Sequence, residues 1–291
     1  MGEIVGAAIV AHYPGLMLPE EMRKARGAGR DTSLIAGFAE LRRRLDAVAP
    51  DTLVIFDTHW FTTNLHLVAG APRYRGSYTS SELPFALSRV PYDYAGAPEL
   101  AATVERIAVE RAIAARNVED ETLVPQYATL NLVAKLRRSE KILSVGSCQT
   151  AAFRHFLEMG EVIGEAIRRT PGRVALLASG ALSHCFNDLG FQPRNPNYYD
   201  PVNVATPANA ALDREMIELW RQGRHDTVLD RYPELAKAEY EGRGAHYVQM
   251  AAALGGRSCR ARGTPCSEYE NAAGTGNIHI WFDVIKGEAV R

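Results

Sequence analysis

Short apolar runs alternate along this chain with longer segments whose apolar residues recur at helical intervals. Residues 4–11 are a compact β-like run, and residues 33–48 place Leu34, Phe38, Leu41, Leu45 and Val48 on one helical stripe. A second apolar run at 52–56 completes a β-α-β unit. Residues 65–69 read as another strand. The tyrosine- and proline-rich stretch 72–98 that follows reads as a loop, unusually long for a compact domain and of the kind that often covers a binding site.

The same rhythm continues. Helices are expected over 98–115, 123–136 and 152–169, the last with Phe153, Phe156, Leu157, Val162, Ile163 and Ile167 on or near one stripe, and strands over 142–145 and 174–178. Prolines at 193, 196, 201 and 207 make 191–207 a loop. Helices resume at 208–222 and 244–254, and 276–285 reads as a closing strand. Repeated strand-helix alternation predicts an α/β fold with a largely parallel or mixed central sheet and helices on both faces. With no internal repeat, low-complexity tract or clean linker, the 291 residues are expected to form one domain, 1–291, rather than two small ones.

Composition narrows the function. The chain is 46% hydrophobic and 23% charged, with 33 basic against 34 acidic residues, so no basic excess points to nucleic acid or an anionic membrane. No apolar run reaches the roughly 18 residues of a membrane span. The N-terminus lacks the basic start of a signal peptide and the Ser/Thr of a myristoylation signal, and reads as a first strand. Cys148, Cys185, Cys259 and Cys266 form no C-x-x-C pair, which leaves a reducing cytoplasm as the simplest compartment.

The histidines carry the chemistry. His12 follows the first expected strand, His59 the second, and His184 a later one; the carboxyl ends of parallel strands share one edge of an α/β sheet, where ligands bind. A lone histidine there is most often a cap or loop residue, but three at equivalent positions can meet in space. His66, His155, His225 and His279 lie on inferred strand or helix surfaces and read as structural. Two imidazoles and a carboxylate on one face suit a non-haem Fe(II) centre. The carboxylate candidates are Glu239 and Glu241, with His246 nearby and Gly242 and Gly244 permitting close backbone approach; from pattern alone the acidic pair reads equally as a helix start. Ser179-Gly180-Ala181 lacks the G-x-S-x-G elbow of a hydrolase, the glycines of 273–276 precede a strand rather than a helix, and Cys148 reads as a small buried residue.

In order along the chain stand His12 with Pro14, VIFDTHW at 54–60, GSYTSSELP at 76–84, TLVP at 122–125, LASGALSH at 177–184, YEG at 240–242 and GTGN at 274–277. Together they resemble the class III extradiol ring-cleaving dioxygenases, the superfamily of the protocatechuate 4,5-dioxygenase β subunit, most closely its 3,4-dihydroxyphenylacetate 2,3-dioxygenase branch. The resemblance implies Fe(II) held by His12, His59 and a glutamate, placed at Glu241 with Glu239 in reserve, and His184 as acid/base. It implies a homo-oligomer that opens a small aromatic diol with O2 to a semialdehyde. His246 is expected to be second shell or to contact substrate, although the related DOPA dioxygenases place a histidine ligand at a similar point. Tyr78, Ser81 and Tyr127 are candidate substrate contacts. Glu119, Asp120 and Glu121 depart from the Asp-His-Gly or tyrosine variant that precedes TLVP in many members. The alternatives are the catalytic subunit of a 2-aminophenol 1,6-dioxygenase, which shares the iron site, and a zinc hydrolase or non-catalytic subunit on the same fold.

Overall fold

A computed structural model describes residues 1–284. In chain order the elements are β1 (Glu3–Val10), α1 (Glu20–Arg26), α2 (Ser33–Val48), β2 (Thr52–Thr62), β3 (His66–Ala69), β4 (Arg73–Tyr78), β5 (Val90–Ala95), α3 (Pro98–Glu110), β6 (Ala115–Val118), α4 (Tyr127–Leu136), β7 (Lys141–Cys148) and α5 (Phe153–Arg169). There follow β8 (Arg173–Ser179), α6 (Pro207–Arg221), α7 (His225–Asp230), α8 (Tyr232–Lys237), α9 (Ala245–Ala253), β9 (Arg262–Pro265), β10 (Glu270–Ala272), β11 (Thr275–Asn277) and β12 (Ile280–Asp283). One mixed sheet runs β6-β3-β7-β2-β8-β1-β12-β9. Its centre, β7-β2-β8-β1, is parallel, and β3 and β12 join it antiparallel.

The continuous apolar runs follow from burial on both faces. Ala7, Ile9, Val54 and Phe56 pack with α3, α5 and α9, while their neighbours Ala8, Val10, Leu53 and Ile55 pack with α2 and α4. α5 and α9 approach so closely that a Cβ on Gly160 would lie 2.3 Å from the Gln249 carbonyl oxygen. In the register of the parallel core, Val10 of β1 and Asp57 of β2 both pair with Ser179 of β8. β1 and β8 therefore end at one level, where β2 leaves β8 at Asp57 but runs on beside β7 to Thr62, so His59 lies within β2 rather than after it as expected.

Several boundaries differ from those expected. Residues 72–98 are not a continuous loop: β4 and β5 form a hairpin in which Tyr74 pairs with Tyr94, both buried, so the tyrosines alternate with exposed neighbours as strand residues. The helix from Pro98 stops at Glu110 because Ala112 turns left-handed (φ 54°), and residues 115–118 form an edge strand instead. α4 begins only at Tyr127, after Pro125. The segment expected as one closing strand from Gly276 is split into β11 and β12, and its last expected residue, 285, lies outside the described residues. His66, His225 and His279 are buried rather than at element surfaces.

His279 shows why. Its Nδ1 accepts from the Ala11 amide (3.1 Å), its Nε2–H donates to the Leu34 carbonyl (3.1 Å), and its ring meets that of Phe38 at 4.5 Å. This pattern requires the neutral tautomer, and burial pushes the pKa down to about 3. The unfolded chain binds a proton at this histidine below about pH 6.5 and the folded chain does not, so stability is complete above that pH and falls as acid is added. At pH 5 the loss from His279 amounts to about 2 kcal/mol. Thermal melts of His279→Gln, compared with the parent between pH 7.5 and 5, are expected to fall less steeply; parallel curves would remove His279 from the acid response.

Candidate metal centre

The level register of β1, β2 and β8 brings the residues that follow it together, and local hydrogen bonds then aim each side chain. Asp57 pairs with Gly146 and Phe61 with Ser147, so Thr58, His59 and Trp60 are looped out of β2 as a bulge. Asp57 holds that bulge: its Oδ1 accepts the amides of His59 and Trp60 at 2.7 Å each, and its Oδ2 accepts the Thr129 hydroxyl at 2.7 Å. The Asn131 amide donates to the His12 carbonyl at 2.6 Å, and Ser179 Oγ lies 3.0 Å from His12 Nδ1.

Glu241 comes from the far side of the site. After α8 the backbone makes a tight turn in which Gly242 (φ 57°), Arg243 (φ 61°) and Gly244 (φ 72°) are all left-handed. Glycine is needed at 242 twice over, since a Cβ there would also lie 2.8 Å from Thr58 Cγ2. Arg243, the residue least suited to that conformation, is tied down through its guanidinium to the Gln149 and Ala151 carbonyls at 2.6 and 3.0 Å.

The Glu241 carboxylate is only 4% exposed. Its Oε1 lies 3.0 Å from His12 Nε2, 2.8 Å from His59 Nε2 and 3.8 Å from His184 Nε2, and accepts the Thr58 hydroxyl at 3.0 Å. Its Oε2 accepts the Ala181 amide at 2.5 Å. Burial opposes ionisation, but the surrounding histidines and hydrogen bonds win and hold the carboxyl well below its usual range. Burial also pulls His59 down, yet its hydrogen bond to Glu241 and that carboxylate's charge leave it raised.

The hydrogen bonds at His12 fix which ring nitrogen carries a proton first. Ser179 Oγ donates to the Ala128 carbonyl at 2.7 Å, an atom that can only accept, so the same hydroxyl must accept from His12 Nδ1–H. In the neutral ring, Nε2 is then bare, with its lone pair facing a carboxylate oxygen at 3.0 Å. A second proton on the ring makes that contact an imidazolium–carboxylate pair, and a cation between the two atoms would satisfy the neutral ring in the same way. One ligand atom from each of His12, His59 and Glu241 lies within 4.8 Å of the others, and the donor set is that of a two-histidine, one-carboxylate centre.

A cavity of about 340 Å³ opens over this group, lined among others by His12, His59, Tyr127, His184 and Glu241. Of the residues singled out from sequence, Tyr127 stands closest to the triad: its hydroxyl is 2.6 Å from His59 Nε2, and burial together with the Glu241 charge raises its pKa, so it remains a proton donor. His184 lines the cavity edge-on to Phe186, ring centroids 4.7 Å apart. His246 does not line it; the ring is buried behind Gly180, whose Cβ would lie 2.9 Å from Nε2, and neither ring nitrogen makes a well-formed hydrogen bond. Tyr78 is buried in the core, Ser81 and Glu239 are exposed, and none of the three lines the cavity. Glu119, Asp120 and Glu121 are likewise exposed, with Asp120 capping a turn at Thr122.

Sequence reasoning missed Asp57, Thr58, Ser179 and Asp213, which hold the site residues in place. Asp213, fully buried, accepts the Ser183 amide and hydroxyl (3.1 and 2.6 Å) and the Tyr269 hydroxyl (2.6 Å), fixing the turn before His184. Asp57, Thr58 and Ser179 were within the quoted motifs; Asp213 lies on a helix with nothing to mark it. The cavity residues Tyr13, Arg26, Glu82 and Phe186 were also missed.

The chain is 29% identical to the 3,4-dihydroxyphenylacetate 2,3-dioxygenase of Escherichia coli, over 88% of this chain and 91% of that enzyme. It is 24% identical to the 2-aminophenol 1,6-dioxygenase beta subunit of a Pseudomonas species, over 100% of this chain and 97% of that subunit. Among solved structures, an uncharacterised protein of Escherichia coli K12 shares the fold with a TM-score of 0.59 at 13% identity, covering 95% of this chain and 99% of the other. Residues 6–282 match the family described as the catalytic LigB subunit of aromatic ring-opening dioxygenase, and the chain belongs to that family of aromatic ring-cleaving enzymes.

Proposed function

We propose that this chain is a non-haem Fe(II) extradiol dioxygenase that opens a catecholic ring with O2, acting on 3,4-dihydroxyphenylacetate or a closely related diol. The observation that carries the reading is the convergence of His12 and His59 Nε2 on Glu241 Oε1 at 3.0 and 2.8 Å, beneath a cavity sized for a single aromatic ring. Residues 1–291 form one catalytic domain in this reading. In this reading the enzyme works as a homo-oligomer in the cytoplasm; no described helix is long and apolar enough to cross a membrane.

His12, His59 and Glu241 hold the metal. Fe(II) there supplies a template and electron conduit for diol and O2, with one net positive charge that favours an anionic catecholate. The protein's own groups handle protons and position. His184, on the cavity wall near Glu241, takes the proton of the second hydroxyl and returns it as the ring opens, a role suited to imidazole. Tyr127 contributes a fixed O–H donor beside His59. His246 supports Glu241 from behind and does not touch substrate. Both atoms of O2 enter the semialdehyde acid and no external reductant is consumed.

Iron analysis of anaerobically purified His12→Ala and His59→Ala is expected to show loss of most bound metal, and full retention in both would overturn the ligand assignment. Zinc in place of iron in the parent protein would favour a hydrolase. His184→Gln should keep its iron and lose kcat by about 10²- to 10⁴-fold; unchanged kcat would remove the acid/base role. Iron-loaded enzyme assayed with 3,4-dihydroxyphenylacetate, protocatechuate, catechol and 2-aminophenol should form a yellow ring-opened product. Turnover of none of these would sink the oxygenase reading, and preference for 2-aminophenol would select the aminophenol alternative that the Pseudomonas relative suggests.

A further inference from the structure

The cavity carries one cation for which the ring-opening chemistry has no use. Arg26, the last residue of α1, lines the same cavity as the histidines and is half-buried. Its guanidinium donates to the Tyr13 hydroxyl at 2.8 Å and lies 5.9 Å from the centroid of the Tyr198 ring. The neighbouring arginine on the same helix behaves differently: Arg23 is bidentate to Asp31 at 2.8 and 2.7 Å and also donates to the Leu18 carbonyl at 2.5 Å. Asp31 is thereby consumed, and among the described residues Arg26 forms no ion pair. A half-buried guanidinium whose partners are a neutral hydroxyl and an aromatic face has donors left over, and its planar fork matches a carboxylate.

We propose that Arg26, set between Tyr13 and Tyr198, is the subsite that takes the carboxylate of an anionic aromatic diol, so that the enzyme selects a ring bearing an acidic side chain over an uncharged catechol or aminophenol. The inference rests on the ring-cleavage reading above and adds to it the residue that recognises an acidic substituent on the ring. Tyr13 directly follows His12, so the wall that carries Arg26 is continuous with the metal end of the cavity. The proposal places the diol at the histidines and a substituent of the same ring at Arg26, both of which line this one cavity. Of the two carboxylates on the wall, Glu241 is held among the histidines, and Glu82 is exposed on the β4–β5 loop with its Oε2 3.5 Å from the Tyr127 hydroxyl, which places it at the diol end. An uncharged substrate would leave Arg26 without a counter-ion; an acid completes the pairing.

The test compares matched ligands with and without the carboxylate. In iron-loaded enzyme, Arg26→Met is expected to raise KM for 3,4-dihydroxyphenylacetate by about 10- to 100-fold while leaving kcat, and both constants for 4-methylcatechol, within about 2-fold; Arg26→Lys should recover part of the loss. Binding without turnover is read by anaerobic calorimetry with 4-hydroxyphenylacetate and 4-methylphenol, where the parent should prefer the acid and Arg26→Met should not. Equal effects on acid and neutral ligand, or a parent that favours neither, would overturn the proposal. So would an acid preference that survives Arg26→Met but disappears when iron is removed, because the carboxylate would then be on the metal. If the parent cleaves no diol yet still loses its acid preference on Arg26→Met, the ring-cleavage reading fails and the carboxylate subsite stands.

Discussion

The arrangement of this molecule turns on one ionised carboxylate with almost no access to water. Taking a carboxylate out of water costs several kcal/mol, and the cost is offset only when hydrogen bonds and opposite charge replace the lost hydration. Glu241 is surrounded accordingly, with the Thr58 hydroxyl and the Ala181 amide as neutral donors and imidazoles on the open side. Those donors come from the bulge of β2 and the residues after β8, so the carboxylate can sit where it does because Asp57 and Ser179 stand level in the parallel register. Conversely, the neutral His12 ring, with Nδ1–H donating to Ser179, turns a bare Nε2 toward the carboxylate, and a cation or a second proton on that ring satisfies the contact.

The glycines and the LASGALSH motif acquire physical meaning from that constraint. Ser179 sets the His12 tautomer, Gly180 leaves room for the His246 ring, the Ala181 amide binds Glu241, and Ser183 ties the turn to Asp213 before His184 enters the cavity. Leu182 and Ser183 also pair with Gly276, where a Cβ would lie 2.1 Å from Asp213 Oδ2. The GTGN segment is therefore a packing partner of the turn before His184, and the close approach of Asp213 explains why glycine stands at 276.

Much of this was legible in the sequence because strand ends in a parallel sheet are geometrically equivalent, and a residue's position after an apolar run predicts where it points. That logic located His12, His59 and His184. It could not locate Glu241, which reaches the site through a left-handed turn that no periodicity marks, and for which the motif resemblance was the only sequence signal. The supporting groups escaped for a related reason. The bond from His12 to Ser179 joins residues 167 positions apart, and that from Ser183 to Asp213 spans 30, so neither leaves a local pattern. The β4–β5 hairpin was lost among tyrosines and prolines because its alternation becomes visible only once Tyr74 is seen opposite Tyr94.

The two walls of the cavity make different demands on a ligand. Around Glu241 the protein has arranged hydrogen-bond acceptors that suit a metal and, through it, paired ring oxygens; across the cavity Tyr13, Tyr198 and Arg26 present an aromatic surface with a single cation. The first set is built from residues shared with the family's motifs, and the second lies on α1 and the loop before α6, outside every one of those motifs except for Tyr13 beside His12. In the proposed reading, chemistry and selectivity are thus carried by separable parts of the chain. A substitution on the α1 wall can change which ring is accepted without disturbing the buried carboxylate that the metal site requires.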